Sequence, residues 1–395
     1  MKSFIYQTGR PQTDDADFME FIDKRGGFWE MEVDSSCIDI IRTPDKIADR
    51  VISEFYRDYY LIKDLKLSYG FLQNESPNAA AISFKNIKLD FVGINAGLYT
   101  TLYLIFTTLL SRSDFLPHVG HPHKENSSRV SDIVIPKKVT DANQGIFIPR
   151  CEIRSAYATV LTGLAFEFIL SHECSHLLNG HLDFVNNMRN NHLAEDRYLS
   201  KDKKIIHQTI EMDADSCATS FMVNKLLVLI DRYKSPDFKE NDTLHPALKE
   251  ACKLAYTDET SSMISLNLAI DTINKLMDEV SGAEWTLENQ FFWSHPMPAV
   301  RRYFNHVQIW SALNVRDLPD ELKNTITLES FKNMMYLNLA WDNVKGDIPT
   351  EHSIDIYNKI FNNPDVHKYY AMLRETWKEI RPELLPLKRG RFLAE

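Results

Sequence analysis

From Ser155 to Asn179 the chain holds no proline, is apolar at Ala165-Phe166 and Phe168-Ile169-Leu170 and again at Leu177-Leu178, and then meets Gly180. This pattern predicts one long, mostly buried helix with the glycine as its C-terminal stop. A second helix is expected over about 204–233. Pro236, Asn241 and Pro246 then break the chain before a third, over about 247–280. Residues 311–395 read as a C-terminal helical subdomain broken at Pro349 and Pro364. Upstream, Ile82 to Phe91 alternates apolar and polar residues on either side of Lys85-Asn86, which predicts a hairpin or two short strands. The apolar run Leu98–Leu110, after Gly97, predicts a buried helix, and these elements form an N-terminal α/β part over residues 1–116. Residues 117–145 predict a long loop. It carries Pro117, Gly120, Pro122, Asn126, Ser127 and Ser128, and a strand candidate at Ile133-Val134-Ile135 before Pro136. The fold class expected is α+β, mainly α-helical, with a small β-sheet.

Composition narrows the function classes. Of 395 residues, 44% are hydrophobic and 25% charged, which fits a globular chain with a sizeable core. Acidic residues outnumber basic ones 55 to 45, for a net charge of -10, so no nucleic-acid partner is expected. The basic run Lys388, Arg389, Arg391 reads as a solvated tail. Cysteines stand at 37, 151, 174, 217 and 252 with no CxxC pair, a pattern of a reducing compartment rather than of a disulfide framework. The first residues, Met1 to Gln7, lack the apolar core of a signal peptide. The run Leu98–Leu110 falls short of the roughly 20 residues a bilayer span needs. A cytoplasmic location without membrane contact is expected.

The chemistry lies in His172-Glu173-Cys174-Ser175-His176, an HExxH motif inside the long helix. Residues four apart share a helix face, so both imidazoles reach one point, where they can hold zinc while Glu173 faces the water on the metal. Glu211 lies 35 residues beyond His176 in Glu211-Met212-Asp213-Ala214-Asp215. It is the expected third ligand, and it leaves the fourth position for water. Asp215, on the same face as Glu211, is expected to hold the free ring nitrogen of a ligand histidine. Asp213 faces elsewhere and is not read as a ligand, and Asp183 is a weaker alternative to Glu211. Gly180 and His181 follow His176 by four and five residues, where metzincins place glycine at three and histidine at six. His181 is therefore read as structural or as support behind a ligand. Cys174 and Cys217 read as small buried residues. His118, His121 and His123 lack a carboxylate or cysteine partner of matching spacing and read as exposed loop histidines.

These residues resemble the gluzincin peptidases, in particular the group of the HtpX heat-shock proteases and the CAAX prenyl proteases. Three blocks match in order over roughly residues 155–305: His172-Glu173-x-x-His176, Glu211-x-x-x-Asp215 and His295-Pro296-x-x-x-x-Arg301. The resemblance implies a zincin-like core with an HExxH active-site helix, placed here at residues 146–310. It implies zinc on the first two blocks, a histidine aiding the transition state (His295) and an arginine ordering the site (Arg301). His295-Pro296 is expected to begin a helix, with Pro296 in its first turn. Those relatives are mostly membrane-embedded. The soluble Lit phage-exclusion peptidases are similar at Phe168-Ile169-Leu170-Ser171 before the motif and Asn179-Gly180-His181 after it, which implies a protein substrate in phage defence.

The function expected is a soluble zinc-dependent endopeptidase, a metallopeptidase acting on a protein or peptide substrate. The strand near residues 82–91 is expected to pair with that substrate in extended form. Two readings stay open beside it: a non-catalytic zinc-binding scaffold or sensor, and a metal hydrolase acting on other bonds. Glu173 speaks against the first, because a structural site needs no base and usually has four protein ligands.

Overall fold

A computed structural model describes residues 4–6, 11, 13–29, 31–33, 38–62, 64–125, 147–191, 201–235, 243–281, 287–345, 361–391 and 393–394. Its elements in chain order are β1 (Phe4–Tyr6), α1 (Ala16–Asp23), β2 (Met31–Val33), α2 (Ile38–Asp58), β3 (Lys66–Leu72), β4 (Ala79–Phe84), β5 (Leu89–Asn95) and α3 (Gly97–Leu110). After a short 3-10 turn at Pro122–Lys124 come α4 (Glu152–Leu178), α5 (His181–Asn191), α6 (Lys201–Lys234), α7 (Pro246–Tyr256) and α8 (Glu259–Ser281). The chain continues with α9 (Leu287–Gln290), α10 (Pro298–Val315), α11 (Asp320–Lys345) and α12 (Pro364–Leu384). The fold is mainly helical with a small three-stranded sheet, as an α+β reading requires. The strand candidate at residues 133–135 and Cys37 lie outside the described residues.

Helix α4 is the hub. It packs on α2, α3, α6, α7, α8 and the sheet, and its apolar side chains from Tyr157 to Leu178 sit in the main hydrophobic cluster. By length and composition it, and not the shorter Leu98–Leu110 run, is the one described helix apolar enough to cross a membrane. The reason is placement: a helix covered on every side by other elements has no need of a polar face. Gly180 ends it at φ +75°, a left-handed conformation that glycine adopts without strain. A Cβ there would also meet the backbone of Leu387 at 2.6 Å.

The sheet runs β3-β5-β4, with β5 central and buried along its whole length. Strand β5 pairs parallel with β3 and antiparallel with β4, with Ala81 opposite Val92. The expected hairpin is present, with longer strands than the alternation suggested. Its turn leaves β4 on the edge of the sheet, facing α4.

Three further expectations are corrected. The helix expected over 247–280 is two, α7 and α8, because the Asp258 carboxylate accepts from Ser261 N at 2.8 Å and caps a new helix start. His295 and Pro296 do not open a helix: α10 begins with Pro298 in its first turn and Met297 as N-cap. The basic run is a solvated tail only in part: Arg391 is exposed and Lys388 half-buried. Arg389 is 3% exposed, and its guanidinium lies 2.5 Å from Asp90 on β5 and donates to Ser83 Oγ at 3.0 Å and Leu177 O at 3.0 Å. Its backbone N–H and that of Gly390 reach Leu178 O. A buried aspartate in the central strand required a buried cation, and the C-terminal segment supplies it.

The helices after residue 310 share core with those before it. Ile326, Leu337 and Trp341 of α11 join the main cluster, and Val366, Tyr369 and Leu373 of α12 pack with Met212 of α6 and Phe304 of α10.

Candidate metal centre

Helix α4 carries His172 and His176 one turn apart, and α6 lies along it with Glu211 toward both rings. The two Nε2 atoms are 3.0 Å apart. Glu211 places one oxygen 3.4 Å from each of them, Oε2 toward His172 and Oε1 toward His176. Among the described residues this is the one group of three or more histidine, cysteine, aspartate or glutamate side chains that could hold a metal. The spacing is itself a fit test. A tetrahedral zinc with bonds of about 2.0–2.2 Å separates its ligands by about 3.3–3.6 Å; both Glu211 distances fall in that range, and the histidine pair is closer. Two imidazole nitrogens aimed at each other across 3.0 Å also need a proton or a cation between them. The residues present fit a divalent metal.

Each imidazole is held from behind. His172 Nδ1 lies 2.8 Å from Asp215 Oδ1, and Asp215 accepts from Arg301 Nη2 at 2.6 Å and Nε at 2.7 Å. His176 Nδ1 lies 3.1 Å from Nδ1 of His181, whose Nε2 lies 3.1 Å from Asp213 Oδ2. Asn179 Nδ2 donates to the same Asp213 oxygen at 2.6 Å. His181, just past the glycine stop, is completely buried. Asp213 lies outside the group of three, with His181 and Asn179 as its neighbours.

Glu173, half-buried, points from α4 to the sheet edge, where its Oε2 accepts from Ala81 N at 2.8 Å. His295 is exposed and sets Nδ1 3.3 Å from Glu211 Oε1. The segment that carries it is pinned from both sides: Gln290 donates to His295 O and accepts from Met297 N, and the buried Gln208 donates to Gln290 O and Trp293 O. The structure thus brings together His172, Glu173, His176, Glu211, Asp215, His295 and Arg301. Asp183 instead pairs with Lys85 and Arg389. His121 and His123 lie with their ring centroids 5.7 Å apart, in no metal-holding group.

Burial and charge set the protonation of these groups. Burial alone would lower His172, but Asp215 and Glu211 outweigh it and raise the imidazole to about 10. Burial drives His176 well below the usual histidine range, so it is neutral. Burial would raise Glu211, yet His176, His172 and His295 hold it well below the usual carboxylate range. Burial would likewise raise Asp215, and Arg301 and His172 bring it down to about 2. Burial raises Glu173 above the usual carboxylate range. Contact with Glu211 raises His295.

These residues floor a cleft of about 730 Å³. Its walls are the β4 edge from Asn78 to Ser83, Phe168 and Ile169 of α4, Leu182 and Val185 of α5, Ile273 and Met277 of α8, and Trp293, Pro296 and Met297. Sequence reasoning passed over His207 and Trp293. His207 stands four residues before Glu211, so helical spacing alone puts it on the same face of α6. Nothing local marks Trp293, which reaches the cleft through the pinning of its backbone. Comparison with protein-family models, curated proteins and solved structures gives no match for this chain.

Proposed function

We propose that this chain is a zinc-dependent endopeptidase, with His172, His176 and Glu211 as ligands and Glu173 as general base. The observation that carries the reading is the meeting of an open three-ligand donor set with a raised, backbone-held carboxylate at the foot of an apolar cleft edged by a β-strand. A structural zinc site is closed by four protein ligands, and this one offers three.

What zinc supplies when bound is Lewis acidity, which acidifies water towards about pKa 7 and polarises a carbonyl. The chain does the rest. Glu173 takes a proton from the attacking water and delivers it to the amide nitrogen as the C–N bond breaks, so one water and one peptide bond become a carboxylate and an amine. The Ala81 N–H keeps that carboxylate turned to the reacting centre. His295 stands at the rim as a hydrogen-bond donor for the oxyanion. The exposed side of β4 offers backbone groups to an extended polypeptide, and the apolar walls receive its side chains. The substrate is a protein or peptide. The resemblance to the Lit peptidases makes a host protein cut during phage infection the first substrate to try.

The test is elemental analysis of the purified protein beside digestion of a cell lysate by the wild type and Glu173→Gln. One zinc per chain in both, with new cleavage products from the wild type only, is the result expected. Zinc in both with no products from either would leave a binding scaffold, and products from both would remove Glu173 as the base.

A further inference from the structure

We propose that the buried amides of Gln208 and Gln290 are positioning residues that hold His295 at the metal centre. The inference rests on the reading of His295 as a donor to the oxyanion and goes beyond it.

His295 lies in the segment between α9 and α10, where residues 291–297 form neither helix nor strand. A backbone without a ladder of its own must find partners elsewhere. Gln290 Nε2 donates to His295 O at 3.2 Å, and Gln290 Oε1 accepts from Met297 N at 2.9 Å. One side chain thus bonds the peptide groups on either side of Pro296. Gln208 Nε2 donates to Gln290 O at 2.8 Å and to Trp293 O at 2.6 Å, and Gln208 Oε1 accepts from the Tyr369 hydroxyl at 2.7 Å. Carbonyls only accept, so the nitrogen of that amide must face them and its oxygen must face the tyrosine. His295 therefore stands between a carbonyl held two residues before it and its own carbonyl, also held. The proline that follows confines it to extended backbone.

The clamp shares its frame with the donor set. Gln208 stands on α6 three residues before Glu211, and His295 sets Nδ1 3.3 Å from Glu211 Oε1. The helix that offers the third ligand therefore also holds the backbone of the histidine that reaches it. The imidazole of His295 is 64% exposed, so its place is set by that backbone and by the contact with Glu211. Gln208, Gln290 and Tyr369 are completely buried. Buried amides cost stability unless they are bonded, and these two direct their hydrogens to the one segment that carries His295. Through Tyr369 the clamp extends to α12, so the helix near the end of the chain backs the rim of the cleft. Catalysis is sensitive to such support, because a shift of about 1 Å made far from the reacting atoms can cost about 10²-fold in rate.

The experiment compares wild type, Gln208→Met, Gln290→Met, His295→Ala and each glutamine variant combined with His295→Ala. Three quantities are read: backbone hydrogen exchange over residues 291–297, hydrolysis of dye-labelled casein, and zinc by elemental analysis. Methionine keeps the length of the side chain and loses its bonds. In either glutamine variant exchange over the segment should quicken about 10-fold, and kcat should fall by about 10²-fold, with KM and zinc content held. In the double variants kcat should be no lower than in His295→Ala alone, because the amides act through a ring that is gone. Losses that multiply in the doubles overturn the proposal, and so does wild-type exchange in both glutamine variants. A wild type that cleaves nothing overturns the endopeptidase reading, and the exchange rates then still decide whether the amides hold His295. Should the methionine variants fail to fold, Gln290→Glu is read in the same way: it keeps the bond from Met297 and loses the one to His295 O.

Discussion

Arg301 and Asp215 form a two-pronged ion pair, with Nη2 2.6 Å from Oδ1 and Nε 2.7 Å from Oδ2, and Asp215 is 1% exposed. The same Oδ1 lies 2.8 Å from His172 Nδ1, so a residue of α10 reaches α4 through one carboxylate of α6. Breaking a buried pair from one side leaves an uncompensated charge. Arg301→Met should therefore cost about 3–5 kcal/mol of stability, read from urea denaturation. Arg301→Lys should recover only part of it, because an ammonium cannot match both oxygens.

His295 is expected to separate turnover from metal binding. It is exposed, and it touches the triad only through Glu211. His295→Ala should lower kcat by about 10²–10³, the usual loss when an oxyanion donor is removed, with zinc content unchanged. Elemental analysis and peptide hydrolysis on one preparation check both. Loss of zinc in that variant would make His295 a support of Glu211 instead.

Zinc uptake should release close to one proton per ion at pH 6. At that pH His172, raised to about 10, carries a proton that a metal on Nε2 must displace. His176 and Glu211, both held low, have none to give. Calorimetry in buffers of different ionisation enthalpy counts the protons. The metal-free protein should show the linked effect on stability. A folded pKa raised from about 6.5 to about 10 adds stability that is full below pH 6.5 and is lost as pH climbs toward 10. The thermal midpoint of chelator-treated protein should fall over that window, and less so in His172→Gln. Asp215, lowered to about 2, acts at the other end: its contribution is present above about pH 4 and is lost as pH falls through 2.

Arg389→Met should destabilise the fold by about 3–5 kcal/mol, because it leaves the Asp90 carboxyl buried in the central strand without its cation. Adding Asp90→Leu should return part of that loss, since the orphaned carboxyl goes with its partner. Denaturant curves for the single and double variants measure the coupling. Additive losses would show that Arg389 acts through packing alone.

Local signals carried much of this fold. The helix of the HExxH motif, its glycine stop, the hairpin and the helix after Gly97 were legible because period, breaker and cap lie within a few residues of one another. The convergence of His172, His176 and Glu211 was legible as spacing on two helices. Other features depended on distant partners. Arg389 looks like surface charge until the strand that buries Asp90 is in place, 299 residues away in sequence. His181 fits no ligand pattern, and its place beneath His176 comes from the turn at Gly180. Asp213 faces away from Glu211 along α6, and only the packing of α6 on α4 gives that direction a partner. The break at Asp258 was a local signal passed over, since an aspartate with serines three and four residues later can open a helix.

The clasp of Arg389 on the end of α4 has a consequence in time. The carbonyl of Leu177 is met by a guanidinium 212 residues further along the chain, and that of Leu178 by the next amides. A ribosome delivers the two imidazoles, Glu173, Glu211 and His295 well before it delivers Arg389. A nascent chain therefore holds every residue of the proposed centre while the carbonyls just behind His176 still lack these partners and Asp90 still lacks its cation. The order of synthesis brings the clasp last, so the end of α4 and the buried Asp90 gain these partners only once the chain has been read through to Arg389.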